Sequence, residues 1–363
     1  MDGAPLTGPG QRSLPQPRAS LEAKVAALRQ PSAWPVPPAS VEAIETHMSW
    51  VFLTPQQAFK LKKPVRSDGL DFGTLERRRF FCEEEVRLNR RLAPSVYLDV
   101  LPLRADANGA LGLWPEGEVV DWLVVMHRLP AGRMLDRLLA TGAAQAGDMR
   151  RLAALLSGFY ANLPPVLHDP EVYCERLARE IAHHEARLCD PQLAFPSGAV
   201  RPVCADLRLF LQHRRDRPAA RVRAGRVVEG HGDLRPEHVW LGEPPAIIDC
   251  LEFSTELRTV DSADELAFVA LECERAGAAD LGHVLLQEFA ALSGDAVPRE
   301  LTAFYRGLRG CVRASIALWH LKEPRYRGSP VWRERAGQYL QLAASHAHAC
   351  VQPSSSSTSE SPP

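Results

Sequence analysis

The segment EGHGDLRPEHVWLGEPPAIIDCLEF, Glu229 to Phe253, gathers His231, Asp233, Arg235, Glu237, His238, Asp249 and Glu252 around two short apolar runs. HVWL (His238 to Leu241) and AIID (Ala246 to Asp249) flank Gly242-Glu243-Pro244-Pro245, so the runs can pair as antiparallel strands across a turn. That pairing returns Asp249 to His238 and to the loop that holds Asp233. Neighbouring carboxylates repel, and each loses hydration on burial. A divalent cation and a phosphate would remove the conflict. In phosphoryl transfer one Asp takes the proton of the attacking hydroxyl, and another holds Mg²⁺ against the nucleotide phosphates. Singly, each Asp is an ordinary cap of a turn or strand end; together they favour a transfer site.

A second constellation lies upstream. A helix predicted from Leu75 to Leu92, opened by Thr74 and ended before Pro94, puts Phe81, Glu85, Leu88 and Leu92 on one face. A carboxylate inside an apolar stripe needs a cationic partner, or else leans outward and covers the stripe with its methylenes. The strand predicted in AFKLKK supplies candidates in Lys60 and, on the same strand face, Lys62.

These groups need elements to hold them. From Val41 to about Val125 the chain reads as strands around that one helix. WVFLTPQQAFKLKK is a hairpin about Thr54-Pro55-Gln56-Gln57, and further strands are broken at Asn108-Gly109 and Pro115-Glu116-Gly117. WLVVMHRLPAGRML reads as a buried strand and a connector. Beyond Arg133 helical periodicity dominates, in DMRRLAALLSGFYANL, EVYCERLAREIAHHEARL, VCADLRLFLQHRR, SADELAFVALECERAG and RELTAFYRGLRGCVRASIALWHLK. The clear strands of this half are those of the opening segment. The fold class is α+β, a small β-rich lobe followed by a large helical one.

The chain has 363 residues, 45% hydrophobic and 24% charged, with 43 basic against 44 acidic side chains. Near-neutral charge disfavours nucleic acid or an anionic membrane as partner. No apolar run reaches membrane-spanning length, and the Pro/Gly-rich start lacks a signal-peptide core. The 8 scattered cysteines form no C-x-x-C pair and read as buried thiols of a cytoplasmic protein. Residues 1–18 and 351–363 are expected to be disordered. His183 and His184, like His346 and His348, are expected to be exposed helix residues, ERRRF and QHRRDR to be solvated faces, and Trp319 to be core or interface.

HGDLRPEH resembles the H-R-D-x-x-x-x-N catalytic loop of protein kinases and, more closely, the H-G-D-x-x-x-x-N loop of the aminoglycoside phosphotransferase family. IIDCLEF is similar to that family's metal-binding segment and DSADELAFV to the helix start after it. ETHMSWVFLTPQQAFKLKKP and FCEEEVRLNRRLAP look like a bacterial branch of the family, some members of which continue into a P-loop kinase domain. No G-x-x-x-x-G-K-[ST] occurs, so that domain is expected to be absent. The resemblance covers about residues 41–345 and implies a two-lobe protein-kinase-like fold, with an N-lobe over 19–127 and a C-lobe over 128–350.

It further implies an ATP-dependent phosphotransferase that uses Mg²⁺ and a small-molecule hydroxyl acceptor. Asp233 would be the catalytic carboxylate, and Arg235 would reach toward the transferred phosphate. Asp249 would hold the metal with His238, which replaces the family's Asn. His231, Asp261 and Glu265 would support the loop. Lys60, paired with Glu85, would grip the nucleotide phosphates, and backbone groups of Met126, His127 and Arg128 would seat the adenine. ETHMSW has no Gly, so backbone N–H groups or the hydroxyls of Thr46 and Ser49 would take the place of a Gly-rich phosphate loop. That gap and His238 support the alternative of a non-catalytic nucleotide-binding scaffold.

Overall fold

A computed structural model describes residues 19–67, 70–166, 169–323 and 326–352. The segments 1–18 and 353–363, within the stretches expected to be disordered, lie outside the described residues. Val351 is described, and it ends a helix rather than beginning a tail.

One compact unit runs to Val86 and resumes over Tyr97–Arg128. It contains α1 (Leu21–Leu28), β1 (Glu42–Glu45), β2 (Ser49–Leu53), β3 (Gln57–Lys62), β4 (Arg66–Ser67) and β5 (Leu70–Asp71). Most of α2 (Leu75–Asn89) follows, then β6 (Tyr97–Ala105), β7 (Leu111–Gly112) and β8 (Glu118–His127). An antiparallel sheet forms in the order β1-β2-β3-β8-β6-β7. The expected β2–β3 hairpin is present, and its turn is closed by Thr54, whose hydroxyl accepts the Gln57 N–H at 3.0 Å. Alternation sends Phe52, Phe59, Leu61, Leu103, Leu123 and Val125 into one core, with Trp34 edge-on to Phe59 at 4.5 Å. ERRRF is not wholly solvated. Arg78 is buried, its Nε donating to Asp121 at 2.7 Å, and Lys24 completes the pairing at 2.8 Å. Removing either cation would leave a buried charge short of a partner, which is costly.

The other unit comprises Arg87–Val96 and the chain from Leu129 onward. In order it holds α3 (Leu135–Ala140), α4 (Ala146–Ala161), α5 (Pro170–Leu188), α6 (Ser197–His213), α7 (Asp216–Arg223) and β9 (Val227–Glu229). Next come β10 (Val239–Trp240), β11 (Ala246–Ile247), α8 (Thr255–Arg258), β12 (Thr259–Asp261) and α9 (Ser262–Arg275). The unit closes with α10 (Ala279–Ser293), α11 (Arg299–Trp319) and α12 (Pro330–Val351). The opening segment does not hold all of its strands, since β12 pairs antiparallel with β9.

One core lies among α5, α6, α11 and α12, where Phe210 and Phe304 stack at 4.7 Å. A Cβ on Gly310 would stand 2.8 Å from that of Ala343, so only glycine lets α11 and α12 approach this closely. A second core joins α3, α4, α9 and α10 to Leu234, Val239, Leu241 and Ile247, fixing the loop segment from beneath. Burying each such side chain contributes roughly 1.5–3 kcal/mol. His184 is buried rather than exposed, 2.7 Å from the Ser315 hydroxyl, and burial pushes its pKa down to about 3. His346 pairs with Glu274 at 2.7 Å. Trp319 is exposed rather than core, its ring flanked by Arg187 and Lys322. Among the described residues no helix is long and apolar enough to cross a membrane, and the cysteines are free.

Candidate active site

β9 delivers the chain at Glu229 into the loop that carries His231 and Asp233. Gly232 adopts φ +87°, and a Cβ there would lie 3.0 Å from both Arg258 Cβ and Leu251 Cδ1. His231 is fully buried. Its Nε2 faces the Ile248 carbonyl at 2.9 Å and must donate to it, which leaves Nδ1 to accept the Asp233 N–H at 3.3 Å. Burial, followed by the charge of His238, pushes the His231 pKa down to about 4. The ring is therefore a neutral strut tying the Asp233 loop to the residue before Asp249.

The expected hairpin forms in the register Val239↔Ile247 and Trp240↔Ala246, shorter than HVWL/AIID would allow. His238 belongs to the 3-10 turn Pro236–His238, and Asp249 lies beyond β11 with a left-handed backbone, φ +62°. That conformation is uncommon for a side-chain-bearing residue, Asp being among the more tolerant, and it concentrates at functional turns. The bond from Ile248 N–H to His238 O, 2.9 Å, continues the pairing to this point.

The His238 ring stands between the two aspartates. Its Nδ1 donates to the Asp233 carbonyl at 2.8 Å, and its Nε2 lies 3.4 Å from Asp249 Oδ2. Arg235 Nε donates to Asp233 Oδ2 at 2.9 Å, and Arg235 Nη2 approaches His238 Nε2 at 3.3 Å. Burial raises the Asp233 carboxyl, but Arg235 first and His238 next oppose it and hold it below the usual carboxylate range. Asp233, Arg235, His238 and Asp249 thus form one cluster.

The supporting residues divide. Glu265, one turn into α9, accepts the backbone N–H of His231 at 3.0 Å and of Gly232 at 2.5 Å, with the Tyr160 hydroxyl at 2.7 Å. Asp261 caps α9 through the Ala263 N–H and receives Arg221 and the Tyr305 hydroxyl, the last at 2.8 Å. It is joined to β9, which leads into the loop, through the β12–β9 pairing. Two holding residues escaped sequence reasoning. Arg91 donates to the carbonyls of Glu229 and Gly230 at 2.7 and 2.8 Å, and Asn89 Oδ1 accepts the Cys250 N–H at 2.9 Å. Both act on backbone groups remote in sequence, so no residue pattern marks them.

Within the β-rich unit, Glu85 is buried and takes both lysines. Lys60 Nζ lies 2.9 Å from Oε1 and Lys62 Nζ 2.5 Å from Oε2. Lys62 is the enclosed one, with 1% of its side chain exposed against 15% for Lys60, and it lies 5.0 Å over the Phe72 ring. Met126 and His127 end β8, where Met126 pairs with Ala58 and Tyr97. The Arg128 N–H is engaged by the Gln56 carbonyl at 2.9 Å, and its guanidinium donates to the Thr54 carbonyl. Thr46 uses its hydroxyl within its own turn, to Ser49, and Ser49 is buried.

No model of a protein family matches the chain. Uncharacterized proteins of Mycobacterium bovis and Mycobacterium tuberculosis are 32% identical to it over 323 residues, covering 86% of this chain and 61% of theirs. The chain thus spans about three fifths of the length of these curated relatives. Its structural neighbours are choline/ethanolamine kinases and aminoglycoside phosphotransferases. A choline/ethanolamine kinase family protein from Mesorhizobium loti matches over 86% of this chain and 92% of its own, at 16% identity and TM-score 0.51. The fold is protein-kinase-like. An aminoglycoside phosphotransferase of Streptomyces rimosus covers 74% of this chain and 90% of its own at 19% identity, but its TM-score of 0.41 adds no weight. In this kinase-like fold the β-rich unit holds the Lys60–Lys62–Glu85 constellation and the helical unit the Asp233–His238–Asp249 cluster.

Proposed function

We propose that the chain is an ATP-dependent phosphotransferase of the aminoglycoside phosphotransferase type, moving the γ-phosphate to the hydroxyl of a small molecule. The observation that carries this reading is the His238 ring between two carboxylates, with Asp233 Oδ2 3.8 Å from its Nδ1 and Asp249 Oδ2 3.4 Å from its Nε2. Like charges from separate backbone segments are brought near one ring. A hydroxyl beside Asp233 gives its proton to that carboxylate as its oxygen forms the new bond to phosphorus. The bond from phosphorus to the ADP oxygen breaks, and ADP leaves with that electron pair. Arg235, already on Asp233, supplies positive charge for the phosphoryl group in transit. Lys60 would grip the nucleotide phosphates, steered by Glu85. An adenine seat at Met126 to Arg128 would rely on groups other than the Arg128 N–H, which Gln56 occupies.

A divalent cation fits as a guest of Asp249 and His238. The donor to the Asp233 carbonyl fixes the His238 tautomer, so in the neutral ring Nε2 accepts from Arg235 Nη2 at 3.3 Å beside Asp249 Oδ2, and a cation would take the place of that guanidinium contact. One nitrogen and one oxygen suit a borderline cation better than Mg²⁺, and phosphate oxygens and water would complete the shell. Among the described residues no cluster of three His, Cys, Asp or Glu could hold a metal without them. When bound, the cation would neutralise phosphate charge.

His238 in place of Asn sustains the second reading, a nucleotide-binding scaffold without turnover. Calorimetric titration of ATP with Mg²⁺ or Mn²⁺ into wild type, Asp249→Ala and Asp233→Asn separates the readings. Metal-dependent binding that Asp249→Ala abolishes and Asp233→Asn preserves is expected, with turnover in Asp233→Asn lower by about 10²–10⁴-fold. A folded wild type that binds no ATP overturns the kinase reading. Binding without product from any acceptor supports the scaffold.

A further inference from the structure

Lys24 of α1 is buried, with 4% of the residue exposed. Its ammonium donates to Asp121 Oδ2 at 2.8 Å, while Asp121 Oδ1 accepts Arg78 Nε at 2.7 Å and the Trp122 N–H at 3.0 Å. Apolar contacts already dock this segment. Val25 and Leu28 enter the sheet core beside Phe52 and Phe59, and Trp34 Nε1 donates to the Leu28 carbonyl at 3.2 Å. A buried ion pair adds little to stability, because desolvation offsets the attraction. The charge of Lys24 is better explained by what it orders.

What it orders is α2. Arg78, in the first turn of that helix, also donates to the Phe72 carbonyl at 3.0 Å and so ties that end down. One turn on, Cys82 Sγ meets the Trp122 carbonyl at 3.9 Å. Glu85, two turns from Arg78, takes Lys60 and Lys62. Steps of four and three keep Arg78, Cys82 and Glu85 on one face of α2. Asp121 and Trp122 belong to β8, which runs on to Val124 opposite Lys60 of β3. The helix is therefore clamped at two points, by Arg78 on Asp121 and by Glu85 on the lysines. With Lys24 removed, Asp121 Oδ2 loses its donor. The carboxylate then satisfies both oxygens by drawing Arg78 into a two-pronged pairing, which shifts the first turn of α2.

We propose that Lys24 is a positioning residue of the nucleotide site: through Asp121 and Arg78 it sets the seat of α2, and through Glu85 the place of the Lys60 ammonium. The proposal rests on the phosphotransferase reading, in which Lys60 grips the nucleotide phosphates. It gives α1, an element outside the sheet, a hold on ATP affinity.

The test is calorimetric titration of ATP with Mg²⁺ into the full chain and its variants. Lys24→Met is expected to weaken ATP binding roughly 3- to 30-fold, and Lys24→Arg, which keeps the charge and donors, to stay close to wild type. In a Lys60→Met background the same Lys24→Met change should weaken ATP no further, because the group it positions is gone. A merely structural lysine would lower the urea midpoint and leave the affinity of the folded molecules unchanged, and that result refutes the inference while sparing the kinase reading. Equal losses in both backgrounds also refute it, since Lys24 would then act on something other than Lys60. A folded wild type that binds no ATP removes the kinase reading and the inference with it. Should Lys24→Met not fold, Lys24→Gln, which keeps a donor toward Asp121 without the charge, is judged by the same outcomes.

Discussion

Glu265 accepts the backbone N–H of His231 through both carboxylate oxygens, at 3.1 and 3.0 Å, from a wholly buried position. Burial raises its pKa, and the N–H of His231, the Tyr160 hydroxyl and the N–H of Gly232 pull the other way. The carboxylate thus fixes two consecutive peptide groups immediately before Asp233. Glu265→Ala leaves buried donors without an acceptor and is expected to cost about 3–5 kcal/mol. Glu265→Gln keeps one oxygen and should cost less, and Tyr160→Phe about 1 kcal/mol. Urea unfolding measures all three; a wild-type midpoint for Glu265→Ala would mean that the brace carries no stability.

His231 makes stability depend on pH with a definite sign. Its pKa falls from 6.5 to about 4 on folding, chiefly because it is buried. Between those values the unfolded chain holds a proton that the folded chain lacks, so the ring's contribution is complete above pH 6.5. It declines as pH falls through the window and is lost by about pH 4. The full difference is on the order of 3 kcal/mol. His184 titrates in the same direction, so the comparison must be with His231→Asn, in which its contribution persists. The variant should show a shallower loss between pH 6.5 and 4 in denaturant titrations. Equal slopes would remove His231 from the account.

Arg235 sets the protonation of Asp233. Burial alone would raise that carboxyl, and Arg235 is the largest influence opposing it. In Arg235→Met the acid limb of the kcat/KM profile should move to higher pH, because the base stays protonated further up the scale. Arg235→Lys retains the charge and should leave the limb close to its wild-type position while losing the fixed Nε geometry. A limb that does not move in Arg235→Met would show that Asp233 is not the group whose ionisation controls the rate.

What could be read from the residues was what local chemistry writes into them. The Val239–Ile247 hairpin follows from its turn residues, and Glu85 stands out because a carboxylate interrupts the stripe of Phe81 and Leu88. Asn89 and Arg91 left no trace, since their partners are a backbone N–H and two backbone carbonyls that any residue could supply. α12 was hidden by its composition. Beside Tyr339, Leu340 and Cys350, its buried face carries Ala336, Ala343 and Ala347, which weaken the hydrophobic signal but let it pack against α11 at Gly310. The β9–β12 pair was too short for alternation to register.

Lys60 and Lys62 share Glu85 but differ in depth, and that difference predicts separable effects. Lys62 has 1% of its side chain exposed and holds Oε2 at 2.5 Å, so removing the carboxylate takes a close counter-charge from a buried ammonium. Glu85→Ala should therefore cost about 3–5 kcal/mol in urea unfolding. Replacing Lys62 and Glu85 together by Met and Leu should restore much of that loss, because neither charge is then left unpaired. Lys60, with 15% exposed, is the lysine with access to solvent and hence to a ligand. Lys60→Met should weaken ATP binding in calorimetry with a smaller change in stability, whereas Lys62→Met should do the reverse. If Lys62→Met alone abolished ATP binding in a protein as stable as wild type, the phosphate-gripping role would pass to the inner lysine, and Lys60 would be the structural member of the pair.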